Sequence, residues 1–397
     1  MLINRKRAEE IMKKYGVEAI IASSPENVTY LSDFWDDSHW GIKGTQVYAV
    51  LPLDRSIDPF IVTSVGTLDQ VAIEKNCWID NFYTYGKFFI QVPDEKDFSE
   101  TEQKLKKLLN NMKKGEDPVS ALINGLAERG LIGKRIAIDE MNITPKLFES
   151  IRKKVSNTEI LYGYSMMREI RSVKTEEEVQ RLQRSVEIIE KGFLNAIQNI
   201  HEGVSEIEIT DILRQTVIEQ GGLPIFSCIG AGHNSAFPNV IPTDYKVQRG
   251  DLIRFDIGCL YEHYYSDTAR IAVLGKPTDK QRVYYNAVKI GEEQALRLVR
   301  PGTKASEIFR EAVESVRKAG IPHYKRNHVG HGIGIECYDL PNITPLSDDI
   351  LEEGMVLNIE TPYYELGFGG VQVEDTLLVT KSGYQQLTRN GRDLFIL

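Results

Sequence analysis

Acidic residues within predicted β-hairpins restrict the fold of this chain more than any other feature of its sequence. Residues 252–261 and 264–273 are largely apolar and are separated by a short polar turn, so they are expected to pair as a hairpin. Asp256 shares one face of the first strand with Arg254, and the turn brings Asp267 close to Asp256. Like charges across a pair of strands destabilise it, so these two carboxylates need a counter-charge.

A second predicted hairpin poses the same problem. Glu360 ends the strand at residues 356–361, and Glu374 lies on the strand at residues 370–379, after a glycine-rich turn at 367–370. A lone acid in a strand is usually solvated or paired with a cation, but that explanation fits poorly for two pairs of acids on two apolar hairpins. Because carboxylate oxygens suit Mn²⁺, Mg²⁺ or Ca²⁺, the four acids predict a site for divalent cations.

His331 supplies the imidazole that turns this prediction towards a transition metal. It lies in the run GHGIG at residues 330–334, whose glycines allow the backbone to approach a crowded centre closely. The run lacks the spacing of a GxGxxG nucleotide-binding loop, and no Walker lysine follows it. The HExxH and GxSxG patterns are also absent from the sequence, which argues against a mononuclear zinc protease and a serine hydrolase.

The composition is that of a soluble globular protein with two or three domains. The chain has 397 residues, of which 42% are hydrophobic and 26% are charged, and its formal net charge is −9. We do not expect an acidic chain of this kind to bind nucleic acid. No apolar run reaches the roughly 20 residues of a membrane span. The charged start carries no secretory pattern and the 4 cysteines are scattered, so we expect a cytoplasmic protein.

The two halves of the chain differ in their predicted architecture. Apolar strands alternate with amphipathic helices in the first half, which predicts an α/β N-terminal domain over residues 1–165. Residues 166–397 contain long helices and antiparallel hairpins, which predicts an α+β C-terminal domain. Two helices of this half are each preceded by a capping box. The capping boxes are Thr175 with Glu178 and Ser205 with Glu208.

The hairpins and the histidine run together resemble the pita-bread metallopeptidases, the family of methionine aminopeptidase, aminopeptidase P, prolidase and creatinase. The matching strings are GDLIRFDIG, YYSDTARI, GHGIG, IETP and GGVQVEDTLLV, within about residues 165–397. The string SSPENVTYLSDF is similar to the additional N-terminal domain of the prolidase, aminopeptidase P and creatinase branch. The resemblance therefore implies a creatinase/prolidase-like domain followed by a pita-bread catalytic domain.

The resemblance also implies a role for each candidate ligand in a centre of two divalent metal ions. Asp256 would chelate one ion, Asp267 and Glu374 would bridge the two ions, and His331 and Glu360 would complete the second. A metal-bridging hydroxide would then attack the substrate carbonyl, and Glu360 would pass a proton to the leaving nitrogen. Manganese is the expected metal, with cobalt, zinc or iron as alternatives.

The residues that would handle substrate depart from the family pattern. Asn239 and Tyr338 stand where prolidase-like sequences carry histidines, and Gln372 stands where they carry an arginine. All three side chains can hydrogen-bond to a substrate, but none brings a positive charge at neutral pH. The resemblance further implies that His328, three residues before His331, lines the site as a catalytic residue.

The implied function is cleavage of an amide bond in a short peptide by a Xaa-Pro dipeptidase or aminopeptidase. The altered substrate-handling residues leave open a creatinase-like hydrolase of a non-peptide amide or amidine. A non-catalytic pita-bread scaffold is the third alternative, although this chain keeps all five candidate ligands. The resemblance also implies a homodimer.

Overall fold

The polypeptide is organised as two compact units. The computed structural model describes residues 1–74, 76–93 and 97–397. The first unit is Met1–Arg171 and the second is Ser172–Leu397. The units therefore divide between residues 171 and 172, whereas the sequence-based boundary lies between residues 165 and 166. No helix within the described residues combines the length and apolar character that a membrane span requires.

The first unit is an α/β domain built on one mixed sheet. Its described strands are β1 (Ala19–Ala22), β2 (Tyr48–Pro52), β3 (Phe60–Ser64), β4 (Phe82–Tyr85), β5 (Lys113–Lys114), β6 (Arg135–Ile138) and β7 (Glu159–Tyr162). Its described helices are α1 (Arg5–Tyr15), α2 (Pro25–Ser32), α3 (Asp37–Gly41), α4 (Leu68–Ile73), α5 (Glu100–Asn110), α6 (Pro118–Glu128), α7 (Pro145–Lys154) and α8 (Tyr164–Arg171). The strand order is β5-β4-β3-β2-β1-β6-β7. Every residue of the interior strand β1 is buried, as expected for a strand covered on both faces.

The second unit is an α+β domain. Its described helices are α9 (Glu176–Gln198), α10 (Glu206–Glu219), α11 (Asp279–Leu296) and α12 (Ala305–Ala319). Its described strands are β8 (Leu223–Ala231), β9 (Leu252–Tyr261), β10 (Tyr264–Tyr265), β11 (Thr268–Val273), β12 (Gly330–Gly332), β13 (Asp339–Asn342), β14 (Val356–Glu360), β15 (Tyr363–Glu365), β16 (Gly369–Val371), β17 (Glu374–Thr380), β18 (Gly383–Gln386) and β19 (Phe395–Ile396). Both predicted capping boxes are present at the starts of α9 and α10.

The main sheet of this unit determines where the polar face lies. Its strands follow the order β10-β9-β11-β17-β14-β12-β13, and β8 pairs with β9. On β9, Ile253, Phe255 and Ile257 pack into one core cluster with residues of α9 and α10. Because side chains alternate along a strand, Arg254 and Asp256 point to the opposite face. This is the face that the sequence predicted for Asp256.

Two predicted strands are interrupted, and each interruption lies beside a candidate ligand. The strand predicted at residues 264–273 breaks between β10 and β11 at Ser266 and Asp267. The strand predicted at 370–379 breaks between β16 and β17, because β16 pairs with β15 in a separate two-stranded sheet. The prediction of continuous strands was therefore wrong. The breaks place Asp267 immediately before β11, and Glu374 at the first position of β17.

Candidate metal centre

Strand register brings three acidic side chains onto one face of the sheet. Glu374 of β17 pairs with Glu360 of β14 on one side and with Ala269 of β11 on the other. Ala269 also pairs with Asp256 of β9. Directly paired residues point to the same face, and a central alanine leaves room above itself. The three carboxylates therefore converge over the middle of the sheet.

Asp267, His331 and Glu374 form the tightest group of candidate ligands. One ligand atom from each lies within 4.8 Å of the corresponding atoms of the other two, and all three residues are buried. Nε2 of His331 is 3.7 Å from Oδ2 of Asp267. Atoms at these separations are close enough for one cation to bridge them after small movements of the side chains.

The hydrogen bond of His331 leaves one ring nitrogen free for a metal. Nδ1 of His331 lies 2.9 Å from the carbonyl oxygen of Gly332. A carbonyl oxygen can only accept, so Nδ1 carries the proton and Nε2 presents its lone pair towards Asp267. Burial also lowers the pKa of this imidazole, which favours the neutral form that binds metals.

Burial and mutual repulsion raise the pKa values of three of the acids. Burial is the largest cause for Asp256, Asp267 and Glu374, and the neighbouring carboxylates add to it. In the part of the chain that the structure describes, Oδ1 of Asp267 is buried without a hydrogen-bond partner. An unpaired buried carboxylate oxygen is costly, so it points to a ligand at this position.

Glu360 differs from the other three acids because its pKa is lowered rather than raised. Nε2 of His328 lies 2.8 Å from Oε1 of Glu360, and Nη2 of Arg326 lies 3.8 Å from Oε2. Burial alone would raise the pKa of Glu360, but the hydrogen bond from His328 and the charge of Arg326 outweigh it and lower the pKa. Glu360 is therefore ionised at neutral pH.

These donors fit two divalent cations. Four carboxylates bring four negative charges, which two divalent ions would neutralise, and one imidazole accompanies them. The residues that could hold the ions are Asp256, Asp267, His331, Glu360 and Glu374. The partnerless Oδ1 of Asp267 and the free Nε2 of His331 agree with this use of the site. The same set without cations would leave several like charges buried together.

Two of the predicted substrate residues lie against these ligands, and the third lies on a loop. The ring of Tyr338 stacks on the imidazole of His331 at a centroid distance of 3.9 Å, while 55% of Tyr338 is exposed. Gln372 is buried, and its Nε2 donates to Oε2 of Glu374 at 3.4 Å. Asn239 is exposed in the segment that follows the short helix Gly232–Ala236.

Sequence reasoning missed two polar residues that support the ligands. Asn358 is buried, and its Nδ2 donates to Oε1 of Glu374 at 2.9 Å and to the carbonyl oxygen of Asp267 at 3.0 Å. Arg254 is also buried, and its Nη1 donates to Oδ2 of Asp256 at 3.0 Å. Each lies two residues before a candidate ligand on the same strand face, and this spacing is the signal that could have identified it.

Comparisons with known proteins agree with this arrangement. Residues 180–381 match the description "Metallopeptidase family M24", and residues 4–173 match the "Creatinase/Prolidase N-terminal domain". A Xaa-Pro dipeptidase of Pyrococcus furiosus is 34% identical over 257 residues, which are 64% of this chain and 74% of that protein. A Xaa-Pro dipeptidase of Lactobacillus delbrueckii subsp. lactis is 30% identical over 286 residues, 71% of this chain and 78% of that protein.

A solved structure has the same fold over nearly its whole length. The prolidase from Pyrococcus horikoshii OT3 aligns with a TM-score of 0.78 and 25% sequence identity. The alignment covers 98% of this chain and 99% of the prolidase chain. Similarity therefore extends through both units and includes the strands that carry the candidate ligands.

Proposed function

Because the chain belongs to metallopeptidase family M24 and is thus a metal-dependent hydrolase of amide bonds, we propose that it cleaves short peptides at Xaa-Pro bonds. The observation that carries this proposal is the buried group of Asp267, His331 and Glu374, with Asp256 and Glu360 in register beside it. The names of the relatives support proline as the residue after the scissile bond.

We assign the five candidate ligands to a two-metal centre. Asp256, Asp267, His331, Glu360 and Glu374 would together hold two divalent cations, as the family resemblance implies. Divalent cations in such a centre lower the pKa of a coordinated water and polarise the carbonyl of the substrate. Of the candidate metals, manganese suits a site with four carboxylates and one imidazole, and cobalt, zinc or iron are the alternatives.

The protein side chains supply the proton transfers. Glu360 is ionised at neutral pH, so it can accept a proton and deliver it to the leaving nitrogen. His328 is hydrogen-bonded to Glu360 and holds its carboxylate in place, which is the catalytic role we propose for it. His331 keeps a fixed tautomer through its bond to the carbonyl of Gly332.

We assign substrate contacts to three neutral side chains. Tyr338 stacks on His331 and is more than half exposed, so we assign its hydroxyl to a hydrogen bond with a peptide held at the metals. Asn239 offers an amide from the neighbouring loop. Gln372 acts closer to the metals, because its Nε2 already donates to Glu374.

A creatinase-like reaction on a non-peptide amide or amidine is the second candidate. The neutrality of Asn239, Tyr338 and Gln372 favours it, because a dipeptide carboxylate gains less from these groups than from a histidine or an arginine. The scaffold alternative has no comparable support, since all five candidate ligands are present.

We further propose a cytoplasmic homodimer. The 4 cysteines are free thiols in the structure, which suits a reducing compartment. The homodimer is proposed from the family resemblance, and light scattering on the purified protein measures it directly.

Metal removal and a substrate panel test the proposed function together. Protein stripped with a chelator is expected to lose turnover of Ala-Pro and Gly-Pro, and to regain it as manganese fills about two sites per chain. The Asp267→Ala variant serves as a control that stays inactive when manganese is returned. Full turnover by stripped protein contradicts the proposal. Faster hydrolysis of small cyclic amides than of any Xaa-Pro peptide supports the second candidate instead.

A further inference from the structure

Arg254 is a fully buried cation whose hydrogen-bonding capacity is entirely used. Its side chain is 0% exposed, and it lies on β9 two residues before the candidate ligand Asp256. A guanidinium has five N–H groups, and here each has an acceptor within 3.2 Å. The acceptors are the carbonyl oxygens of Ser235, Phe237 and Pro238, Oδ2 of Asp256 and Oε1 of Gln372.

The five acceptors belong to two different parts of the site. Nη1 donates to Oδ2 of Asp256 at 3.0 Å and to Oε1 of Gln372 at 3.1 Å. This nitrogen therefore orients one candidate ligand, Asp256, and also Gln372, which itself donates to the candidate ligand Glu374. Nη2 donates to the carbonyl oxygens of Phe237 and Pro238 at 2.6 and 2.8 Å. These carbonyls immediately precede Asn239. One side chain therefore links the metal ligands to the loop that is assigned to substrate.

The charge of Arg254 also matters to the acids around it. Burial raises the pKa of Asp256 and Arg254 offsets only part of that rise, while its guanidinium lies 5.2 Å from the centre of the Tyr364 ring. With all its N–H groups engaged, this arginine has none left for a substrate carboxylate. Arg254 must therefore act through the acceptors of its hydrogen bonds, rather than through contact with substrate.

We propose that Arg254 is the positioning residue that fixes Asp256 for metal binding and holds the 235–239 loop in place for substrate. This inference rests on the proposed two-metal function. Gln372 is neutral at a position where prolidase-like sequences carry an arginine. In this proposal Arg254 of β9 provides the positive charge beside the candidate ligands instead. The planar guanidinium is required, because its donors are spread over three nitrogens. A lysine has three donors on one nitrogen and cannot span both the ligand and the loop carbonyls.

The loop has a second support, so loss of Arg254 is expected to leave the protein folded. Glu206 is buried and accepts from the backbone N–H of Ala231 at 2.7 Å and of Thr243 at 2.8 Å. It also accepts from Nδ2 of Asn234 at 3.0 Å. These bonds hold both ends of the segment independently of Arg254.

The test measures manganese binding by calorimetry on stripped, full-length protein, alongside KM and kcat for Ala-Pro. Arg254→Leu is expected to weaken the binding of one of the two ions by about 10- to 100-fold and to raise KM. Arg249→Leu is the matched control, because it removes an exposed arginine at the approach to the same strand and should change neither quantity. Manganese affinity is measured at a temperature where the variant is folded, so a lower stability alone does not change the measured affinity.

Relocating the guanidinium tests its role at the metal ligand. In Arg254→Leu/Gln372→Arg, an arginine at position 372 starts from a side chain that already lies 3.1 Å from Nη1. It would restore a donor beside Asp256, so metal affinity should return, while KM in this variant also reflects the new charge at a residue assigned to substrate. A folded Arg254→Leu protein with wild-type metal affinity and KM overturns the proposal. Wild-type protein that binds no manganese overturns the proposed function instead.

Arg254→Lys keeps the test decisive if the leucine variant does not fold. The lysine retains the buried charge, so the protein should fold, but its ammonium cannot satisfy the ligand and the loop together. We expect weaker manganese binding and a higher KM than in the wild type. A folded lysine variant with wild-type manganese affinity and KM would show that the guanidinium is not needed, which contradicts the proposal.

Discussion

Nε2 of His328 lies 2.8 Å from Oε1 of Glu360, and the two residues are brought together from a loop and from the end of β14. This bond and the nearby Arg326 keep Glu360 ionised in spite of its burial. Glu360 combines the roles of a metal ligand and a proton carrier in the proposed reaction. The geometry of this pair should therefore affect the rate of reaction more than the binding of substrate.

Replacing His328 should reduce kcat while leaving KM nearly unchanged. His328→Gln can still donate a hydrogen bond to Glu360, but its flexible amide holds the carboxylate less firmly than the imidazole ring does. We expect kcat for Ala-Pro to fall by about 10- to 100-fold, the usual cost of losing a group that orients a metal ligand. Steady-state kinetics on manganese-loaded protein measure it, with His201→Gln, an exposed histidine of the same unit, as the control. A variant with wild-type kcat would show that His328 only packs beside Glu360.

The main strands and helices that carry the site could be predicted from the sequence. Residues 252–261 form β9 over the predicted range, and the alternation of apolar residues correctly separated Asp256 from the core-facing Phe255. The capping boxes located the starts of α9 and α10, because a Thr or Ser followed by Glu satisfies the free N–H groups of a first turn. Strand alternation and helix starts depend on residues close together in the chain, so a short stretch of sequence is enough to predict them.

The support around the ligands could not be predicted in the same way. Arg254 was placed on the correct strand face, yet three of its acceptors are backbone carbonyls from residues 235–238, whose path depends on tertiary structure. Strand β8 was missed because its residues Leu223–Ala231 include a proline and several small residues and do not alternate clearly. The strand breaks at Asp267 and before Glu374 were also missed, since each depends on pairing with a distant segment.

Stacking by Tyr338 should stabilise the metal site separately from any contact of its hydroxyl with substrate. Its ring lies 3.9 Å from that of His331 at an interplanar angle of 23°, so it restricts the plane of the imidazole. Tyr338→Phe keeps the stacking, and we expect wild-type manganese affinity with a raised KM. Tyr338→Leu removes the ring, and we expect both manganese affinity and kcat to fall. Equal manganese affinity in the two variants would show that stacking does not orient His331.

Replacing Asp267 with asparagine should raise the stability of the metal-free protein and weaken its binding of manganese. Without metal, the change removes a negative charge from a buried acidic group, so the unfolding free energy should rise by on the order of 1–3 kcal/mol. With manganese at about 100 times its dissociation constant, the wild type should gain about 2.7 kcal/mol and the variant much less. Denaturant unfolding with and without manganese measures both values. Metal-free Asp267→Asn that is less stable than metal-free wild type would contradict the proposed repulsion among the acids.

Glu178 should make the stability of the second unit depend on pH. Burial raises its pKa to about 7, although Lys174 and the capping-box bonds with Thr175 act in the opposite direction. Its unfolded-state pKa is near 4.5, so the folded state binds more protons between about pH 4.5 and 7, and stability falls as pH rises through this range. Glu178→Gln retains an acceptor for the backbone N–H of Thr175 and cannot ionise. The variant should therefore gain on the order of 3 kcal/mol relative to wild type between pH 4.5 and 8, measured by urea unfolding. A difference that stays constant across this range would mean that Glu178 ionises in the folded protein as readily as in water.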